Sequence, residues 1–257
     1  MRTTFYYSYG CSSTSKSPVK VSGNNQKRCC GALVKKEVWR LSWWARALVI
    51  VLIAFILGLI FVNANSFLTV TERIDAKILI VDGWAPSYTM KQATSEYLSG
   101  GYQQVFVVRG VYDLQEKYET GRAAGTQVAE LLVKYGIPKE VISIIFFSAT
   151  RRDRTYNSAL ALKTWLAENK VSANRLNLAT LGTHSRRSRL LYNKAFGGAV
   201  QVGIIALENR AYDSSKWWSS SEGARDVIGE GIAYAHAKLL FNCKKVETQQ
   251  KTRLINE

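Results

Sequence analysis

From residue 76 onward, short apolar runs alternate with longer amphipathic segments, and few architectures accommodate that alternation. Residues 77–81, 105–108, 141–147, 176–181 and 200–206 read as buried strands. Helical patterns fall between and after them, over about residues 90–99, 119–135, 155–169, from Leu190 onward, and over 222–241. The inward faces are Val128, Leu131, Leu132 and Tyr135 in the second helix and Ala159, Leu162, Trp165 and Leu166 in the third. In the last helix they are Ile228, Ile232, Ala235 and Leu239. Gly100-Gly101 ends the first helix, and Gly136 with Pro138 ends the second. Strands of this kind alternating with helices imply right-handed βαβ crossovers and a parallel sheet. The expectation is an α/β domain over residues 76–243, a Rossmann-like three-layer α/β/α sandwich with a mostly parallel five-stranded sheet. No internal repeat is visible.

Ahead of this domain lies a different constraint. Residues 47–62 form an unbroken apolar run without a charge, flanked by Trp43-Trp44 and by Phe67-Leu68. With its flanks, over residues 47–65, it is long enough to cross a bilayer as one helix. The charge of the chain follows this division. Residues 1–46 carry nine Lys/Arg and one acidic residue, Glu37, a net +8 of the +16 total. That block is explained by the apolar run behind it, so no nucleic-acid partner is called for. Lys35, Lys36, Arg40 and Arg46 place the amino-terminal side in the cytoplasm, and the tryptophans suit an interfacial belt. The reading is a single-pass inner-membrane protein with its carboxyl-terminal domain outside. Two alternatives stand beside it: a cleaved signal ending near Val62-Asn63-Ala64, and a buried core helix. Residues 1–46, rich in Ser, Gly, Asn and Lys, are expected to be disordered, and residues 244–257 form a polar tail. Cys11, Cys29 and Cys30 precede the run and Cys243 stands alone after it, which leaves the outer domain without an internal disulfide.

In parallel α/β sheets ligands bind beyond the carboxyl ends of the strands. Those positions hold Asp82, Gly83 and Trp84; Arg109 and Gly110, with Glu119 opening the next helix; Arg151, Arg152, Arg154 and Thr155; Thr183, His184, Arg186 and Arg187; and Arg210. Guanidinium groups recognise phosphate and carboxylate bidentately. Arginines contributed by four of these five positions to one rim point to an anionic ligand, and ion pairing among the loops is the structural alternative. Ser185 is the expected N-cap of the fourth helix, which sets Arg186 and Arg187 in its first turn, favourably placed only if an anion binds there. His184 and Asp82 are the candidate acid–base pair. Trp217-Trp218 reads as a lid, as a foot on the membrane or as packing. Phosphate-binding and dinucleotide-binding glycine motifs, the nucleophile elbow and the metalloprotease helix motif are all missing. His184 is too isolated for a zinc site, so neither metal nor cofactor is expected.

Taken together, Asp82-Gly83, the Gly-Gly-Tyr turn at 100–102, Val107 to Gly110, Tyr135-Gly136-Ile137-Pro138, Arg154-Thr155-Tyr156-Asn157-Ser158-Ala159 and Thr183-His184-Ser185-Arg186-Arg187-Ser188 resemble the ElyC/SanA/YdcF family of bacterial envelope proteins. The likeness runs from about Ile78 to Leu239. Many members have Leu-Gly where this chain has Val81-Asp82-Gly83, and Ser/Thr-Gly-Gly where it has Arg109-Gly110. The resemblance implies a tethered α/β domain with a role in envelope biogenesis, cell-wall or lipid-carrier metabolism. The expectation is therefore a phosphorylated or otherwise anionic small-molecule or lipid-linked ligand, with protein partners unassigned. A non-enzymatic scaffold and a transferase using a nucleotide-like donor are the competing readings.

Overall fold

The computed structural model describes residues 42–111, 115–148, 152–244 and 246–248, with the side chains of residues 115–119 outside that description. The segment before Ser42, with Cys11, Cys29 and Cys30, therefore lies outside the described residues, as do Arg151 and the end of the tail. The chain separates into two units, Met1–Ile53 and Ala54–Glu257. Helix α1, Trp43–Leu68, is long and apolar enough to cross a membrane, with a mean hydropathy of 2.9 in its most apolar window and no residue of that window buried.

The domain follows as β1 (Ile78–Asp82), α2 (Met90–Gly100), β2 (Gln104–Val111), α3 (Gln115–Tyr135), β3 (Ile142–Ser148), α4 (Arg154–Glu168), β4 (Arg175–Leu181), α5 (His184–Phe196), β5 (Gln201–Leu207) and α6 (Ser221–Leu239). All five strands are parallel, in the order β3-β2-β1-β4-β5. Every residue of central β1 is buried, as befits a strand covered on both faces. Alternation of side chains along the strands divides the core into two clusters. Ile78, Ile80, Phe106 and Val108 pack with Tyr156, Leu162 and Leu166 of α4 and with Leu191, Tyr192 and Phe196 of α5. Leu79, Val81, Val105 and Val107 pack with Met90 and Ala93 of α2 and with Val128 and Leu132 of α3.

Three local expectations change. β2 continues to Val111, so Arg109 and Gly110 sit inside the strand, opposite Phe146 and Phe147 of β3, and not in a loop after it. The aromatic partners on β3 extend the ladder past the point where the apolar run of β2 ends. α5 starts at His184 with Thr183 as N-cap, and Ser185 lies within its first turn. The Ser185 hydroxyl is drawn instead to the chain leaving α1: it donates to the Leu68 carbonyl at 3.1 Å and accepts from the Val70 amide at 2.8 Å. The third change is rotational. In α6, Ile228, Ile232 and Leu239 are 51%, 68% and 76% exposed, whereas Gly223, Val227 and Ala237 are buried. The helix is turned so that polar Asp226 and Glu230 face α5, because the amino end of α5 offers them a hydroxyl, an imidazole and a guanidinium.

Residues 69–77 run back along the sheet. Glu72 pairs antiparallel with Ile204 of β5, and the Ala206 amide donates to the Thr71 hydroxyl at 3.0 Å. Further on, Asn177 of β4 both accepts from the Ile74 amide at 3.1 Å and donates to the Ile74 carbonyl at 2.8 Å. Gly203 makes room for this, since a Cβ there would lie 1.9 Å from the Asn177 Oδ1. The connector therefore enters beside the carboxyl ends of the strands and leaves at their amino ends.

The rotated face of α6 yields a contrast measurable by urea unfolding of the full chain in detergent. Leu162→Ala, in the core, is expected to cost about 2–5 kcal/mol, and Ile232→Ala on the outer face of α6 less than about 0.5 kcal/mol. Comparable losses would restore the originally expected register.

Candidate functional site

The carboxyl end of β1 closes on Asp82, which is 3% exposed. The Thr180 hydroxyl, at the same level in β4, donates to its Oδ2. Burial raises the Asp82 carboxyl above the ordinary carboxylate range, against the pull of His184, Thr180, Arg187 and the Trp84 indole. The next residue must be small. A Cβ on Gly83 would stand 3.0 Å from both the Arg109 Cβ and the Val108 carbonyl oxygen. With glycine there, the Gly83 amide donates to Val108 O at 3.0 Å and Arg109 Nη1 donates to Gly83 O at 2.7 Å. Trp84, 45% exposed, then turns its ring edge-on to the His184 imidazole, with centroids 5.0 Å apart.

His184 is held from two sides. Glu230 Oε1 lies 2.9 Å from Nδ1, and Thr155 Oγ1, in the first turn of α4, lies 3.4 Å from Nε2. Arg187, one turn along α5, grips both oxygens of the same carboxylate: Nε to Oε2 at 2.8 Å and Nη2 to Oε1 at 2.9 Å. Arg187 Nη2 also comes within 2.8 Å of His184 Nδ1. Nδ1 cannot serve both neighbours: a lone pair there would accept from Arg187 Nη2 but face the Glu230 carboxylate. The consistent assignment puts the proton on Nδ1, donating to Glu230, so that the close nitrogen pair results from sharing one acceptor. In the neutral ring Nε2 then carries the lone pair, facing a Thr155 hydroxyl that also accepts from Arg187 Nη1 at 3.3 Å.

This is the geometry of a carboxylate, an imidazole and a hydroxyl in series, the arrangement that turns an alcohol or a water into a nucleophile. At 3.4 Å the Thr155-to-imidazole contact is at the long end of hydrogen-bond distances. The Glu230 carboxyl is held low, at about 2: burial opposes its ionisation, and hydrogen bonds from His184 and Arg187 outweigh burial. One turn earlier in α6, Asp226 Oδ2 accepts from Thr183 at 2.9 Å, from Tyr212 at 3.0 Å and from Asn209 at 3.2 Å.

The expected site residues therefore divide. Asp82, Gly83, Trp84, Arg109, Thr155, Thr183, His184 and Arg187 gather at the carboxyl ends of β1, β2 and β4 and the starts of α4 and α5. Arg186 does not join them. Its Nε donates to the Phe67 carbonyl and its guanidinium lies 4.1 Å over the Phe67 ring, facing the chain that leaves α1. Arg152 and Arg154 are exposed at the start of α4. Gly110 is half-buried within β2, and the Glu119 side chain lies outside the described residues. The expected ring of free arginines is thus reduced: Arg187 is matched by Glu230, and exposed Arg210 lies 3.7 Å from Glu208. Sequence reasoning missed Glu230, Asp226 and Thr180. The available signal for the two carboxylates was their i, i+4 spacing in the helix that follows the fifth strand.

Two surface cavities bracket the sheet. One of about 580 Å³, lined by Asp75, Lys77, Gln103, Asn174 and Arg175, lies at the amino ends of the strands, away from His184. The other, about 300 Å³, reaches Glu230 and Asp226 between Asn209, Tyr212 and Arg225. Of the residues around the imidazole only Glu230 lines the smaller one; His184, Thr155 and Arg187 line neither. Among the described residues no group of three or more His, Cys, Asp or Glu side chains is placed to hold a metal ion. The chain matches no protein-family model and no curated protein.

The Glu230 carboxyl links the site to stability. Its value of about 2 in the folded chain, against an ordinary 4.5, means that its stabilisation is complete above pH 4.5 and is lost as pH falls from there towards 2. That contribution is roughly 3 kcal/mol at most. Glu230→Gln is expected to be less stable at neutral pH and to flatten this acid limb. Thermal unfolding of both proteins between pH 6 and pH 3 measures it, and parallel curves would count against the pairing.

Proposed function

We propose that this is a membrane-anchored envelope protein whose site at the strand ends binds an anionic, phosphorylated ligand and transfers or hydrolyses it, with His184 as the general base. The observation that carries the reading is the series Glu230, His184, Thr155, with Nε2 turned to a hydroxyl at the amino end of a helix. A helix start offers unpaired amides to an anion. In this reading Glu230 holds the ring and fixes its tautomer. Nε2 takes the proton from Thr155 or from a water as that oxygen bonds to the phosphorus; the P–O bond to the carrier breaks, the carrier leaves as an alcohol that takes the proton back from Nε2, and the α4 amides with Arg187 hold the phosphoryl oxygens. Buried Asp82 shapes the floor beneath the imidazole. Arg109, fastened to Gly83, and Trp84 complete the wall.

Several finer points belong to the same proposal. The strand order with helices packed on both faces supports a Rossmann-like three-layer sandwich. The exposed apolar surface of α1 supports a span, and the basic residues before it support a cytoplasmic amino terminus with the domain outside. The motif likeness to the ElyC/SanA/YdcF family supports cell-wall or lipid-carrier metabolism as the setting. A scaffold is the second reading, favoured by the unpartnered apolar stripe Ile228, Ile232, Leu239 on α6. The nucleotide-donor transferase has less behind it, because β1 is followed by Gly83-Trp84-Ala85-Pro86 and no glycine-rich turn.

The test uses the full chain in detergent with polyprenyl phosphates and sugar phosphates, following binding and release of inorganic phosphate. Removing the base in His184→Ala is expected to lower turnover about 10²–10⁴-fold. Arg187→Ala is expected to weaken binding, and Arg186→Ala to leave both unchanged, since its guanidinium lies over Phe67. Turnover that survives in His184→Ala, or binding equally strong in Arg187→Ala, would remove the site from the mechanism and leave the scaffold.

A further inference from the structure

The Trp217-Trp218 segment does something the site does not require. It lies in a short helical stretch, Ser214–Ser219, just before α6. Trp217 is 1% exposed and packs with Leu68 and Val227. Trp218 projects beyond it, 41% exposed, with the two rings edge to face at 5.8 Å. Both rings meet Phe61, with centroids at 4.5 Å and 5.8 Å, and Phe61 is itself 46% exposed. Phe61 is the penultimate residue of the apolar run, in a stretch of α1 whose residues 54–62 are all exposed. An indole half out of the protein beside an open phenyl ring suits the boundary between headgroups and acyl chains, where an apolar body and a polar N–H are both satisfied. Lys216, exposed one residue before the pair, suits anionic headgroups at the same level.

The path of the chain says which end of the sheet lies nearest. Leu68 and Val70 are bonded to Ser185 at the start of α5, and residues 71–74 then run antiparallel to β5 towards the amino ends of the strands. The carboxyl ends, with His184, are therefore on the side from which α1 arrives. Seven residues of helix separate Phe61 from Leu68, about 10 Å along the axis.

We propose that Trp218, with Phe61 and Lys216, forms a second contact with the bilayer interface, which seats the domain with its strand-end site facing the membrane surface, within about two helical turns of it. This rests on the reading of α1 as a membrane span. It restricts the ligand of the site to a headgroup that a lipid presents from the same leaflet, or to a soluble anion able to enter that gap. The occupant is lipid. The exposed Trp218 indole adjoins Phe61 at the end of the exposed apolar surface of residues 54–62, and the charge nearest to it along the chain is Lys216, with Asp213 and Glu222 further off.

Site-directed spin labelling of the full chain in phosphatidylcholine/phosphatidylglycerol vesicles tests it. In a background with all cysteines changed to Ser, single nitroxides are placed at Lys216→Cys and Ser219→Cys. Leu52→Cys in α1 serves as the bilayer reference and exposed Lys139→Cys, at the amino ends of the strands, as the aqueous one. Power saturation with oxygen and a water-soluble nickel chelate reads the depth of each. Labels at 216 and 219 are expected at headgroup depth, with loss of that depth in Trp218→Ser; the labels in the Trp218 protein carry the result should the variant fold poorly. A label at 52 in water would overturn the span, and this contact with it. Lipid around 52 but aqueous readings at 216 and 219 matching 139 would overturn the contact alone. Labels at 216 and 219 shielded from both reagents would point to a protein against the pair, a second copy included, and would also overturn it.

Discussion

A parallel sheet buried on both faces admits a polar side chain only where it is fully bonded, as Asn177 is to Ile74 and Tyr102, and most polar groups collect where the strands stop. β1 shows the constraint most plainly. Four apolar residues are fully covered, and the fifth, Asp82, is equally buried but tied to Thr180 of the neighbouring strand. The cost of burying that carboxyl is expressed as a raised proton affinity. Everything proposed for the site begins from this end of the sheet. There β1 and β4 deliver Asp82 and Thr180, and the turns after β1 and β4 deliver Trp84 and His184.

The second organising contact is the Glu230 carboxylate. It satisfies an imidazole on one side and a guanidinium on the other, and so fastens α6 across the amino end of α5. A buried carboxylate with two charged or polar donors is well compensated, and losing either partner leaves the other exposed to an unpaired neighbour. The same contact explains why α6 leaves Ile228, Ile232 and Leu239 to the outside. The helix can present one face to α5, and electrostatics chose the face with Asp226 and Glu230 over the one with more carbon. It also lessens the purely cationic character expected of the rim. What remains of the expected cationic rim is a helix start, a hydroxyl and an arginine engaged by Glu230 and Thr155.

Between helix α1 and the sheet lies a connector bonded at almost every residue, to Ser185, Ile204, Ala206 and Asn177 in turn. These bonds hold residues 70–74 along β4 and β5, with the Leu68 end beside the start of α5 and the Ile74 end near the amino ends of the strands.

Much of this was legible in the residues. Five apolar runs separated by helical periods defined the parallel α/β domain, and an uncharged stretch over 47–62 defined the one helix among the described residues that is long and apolar enough to span a bilayer, because burial and hydrocarbon impose patterns that are local along the chain. Asp82, Trp84, Thr155, His184 and Arg187 could be named for a similar reason: a parallel sheet places whatever follows its strands on one rim. The rotation of α6 was not legible, since its apolar stripe and its carboxylate pair occupy different faces and only the neighbour decides between them. Nor were the bond of Ser185 to Leu68 and the turn of Arg186 onto Phe67, which join residues more than a hundred positions apart. Periodicity and strand ends are properties of sequence alone. The partner of each charge is a property of distance in space, and the tertiary structure settled it by bringing α6 and the chain leaving α1 against the same turn of α5.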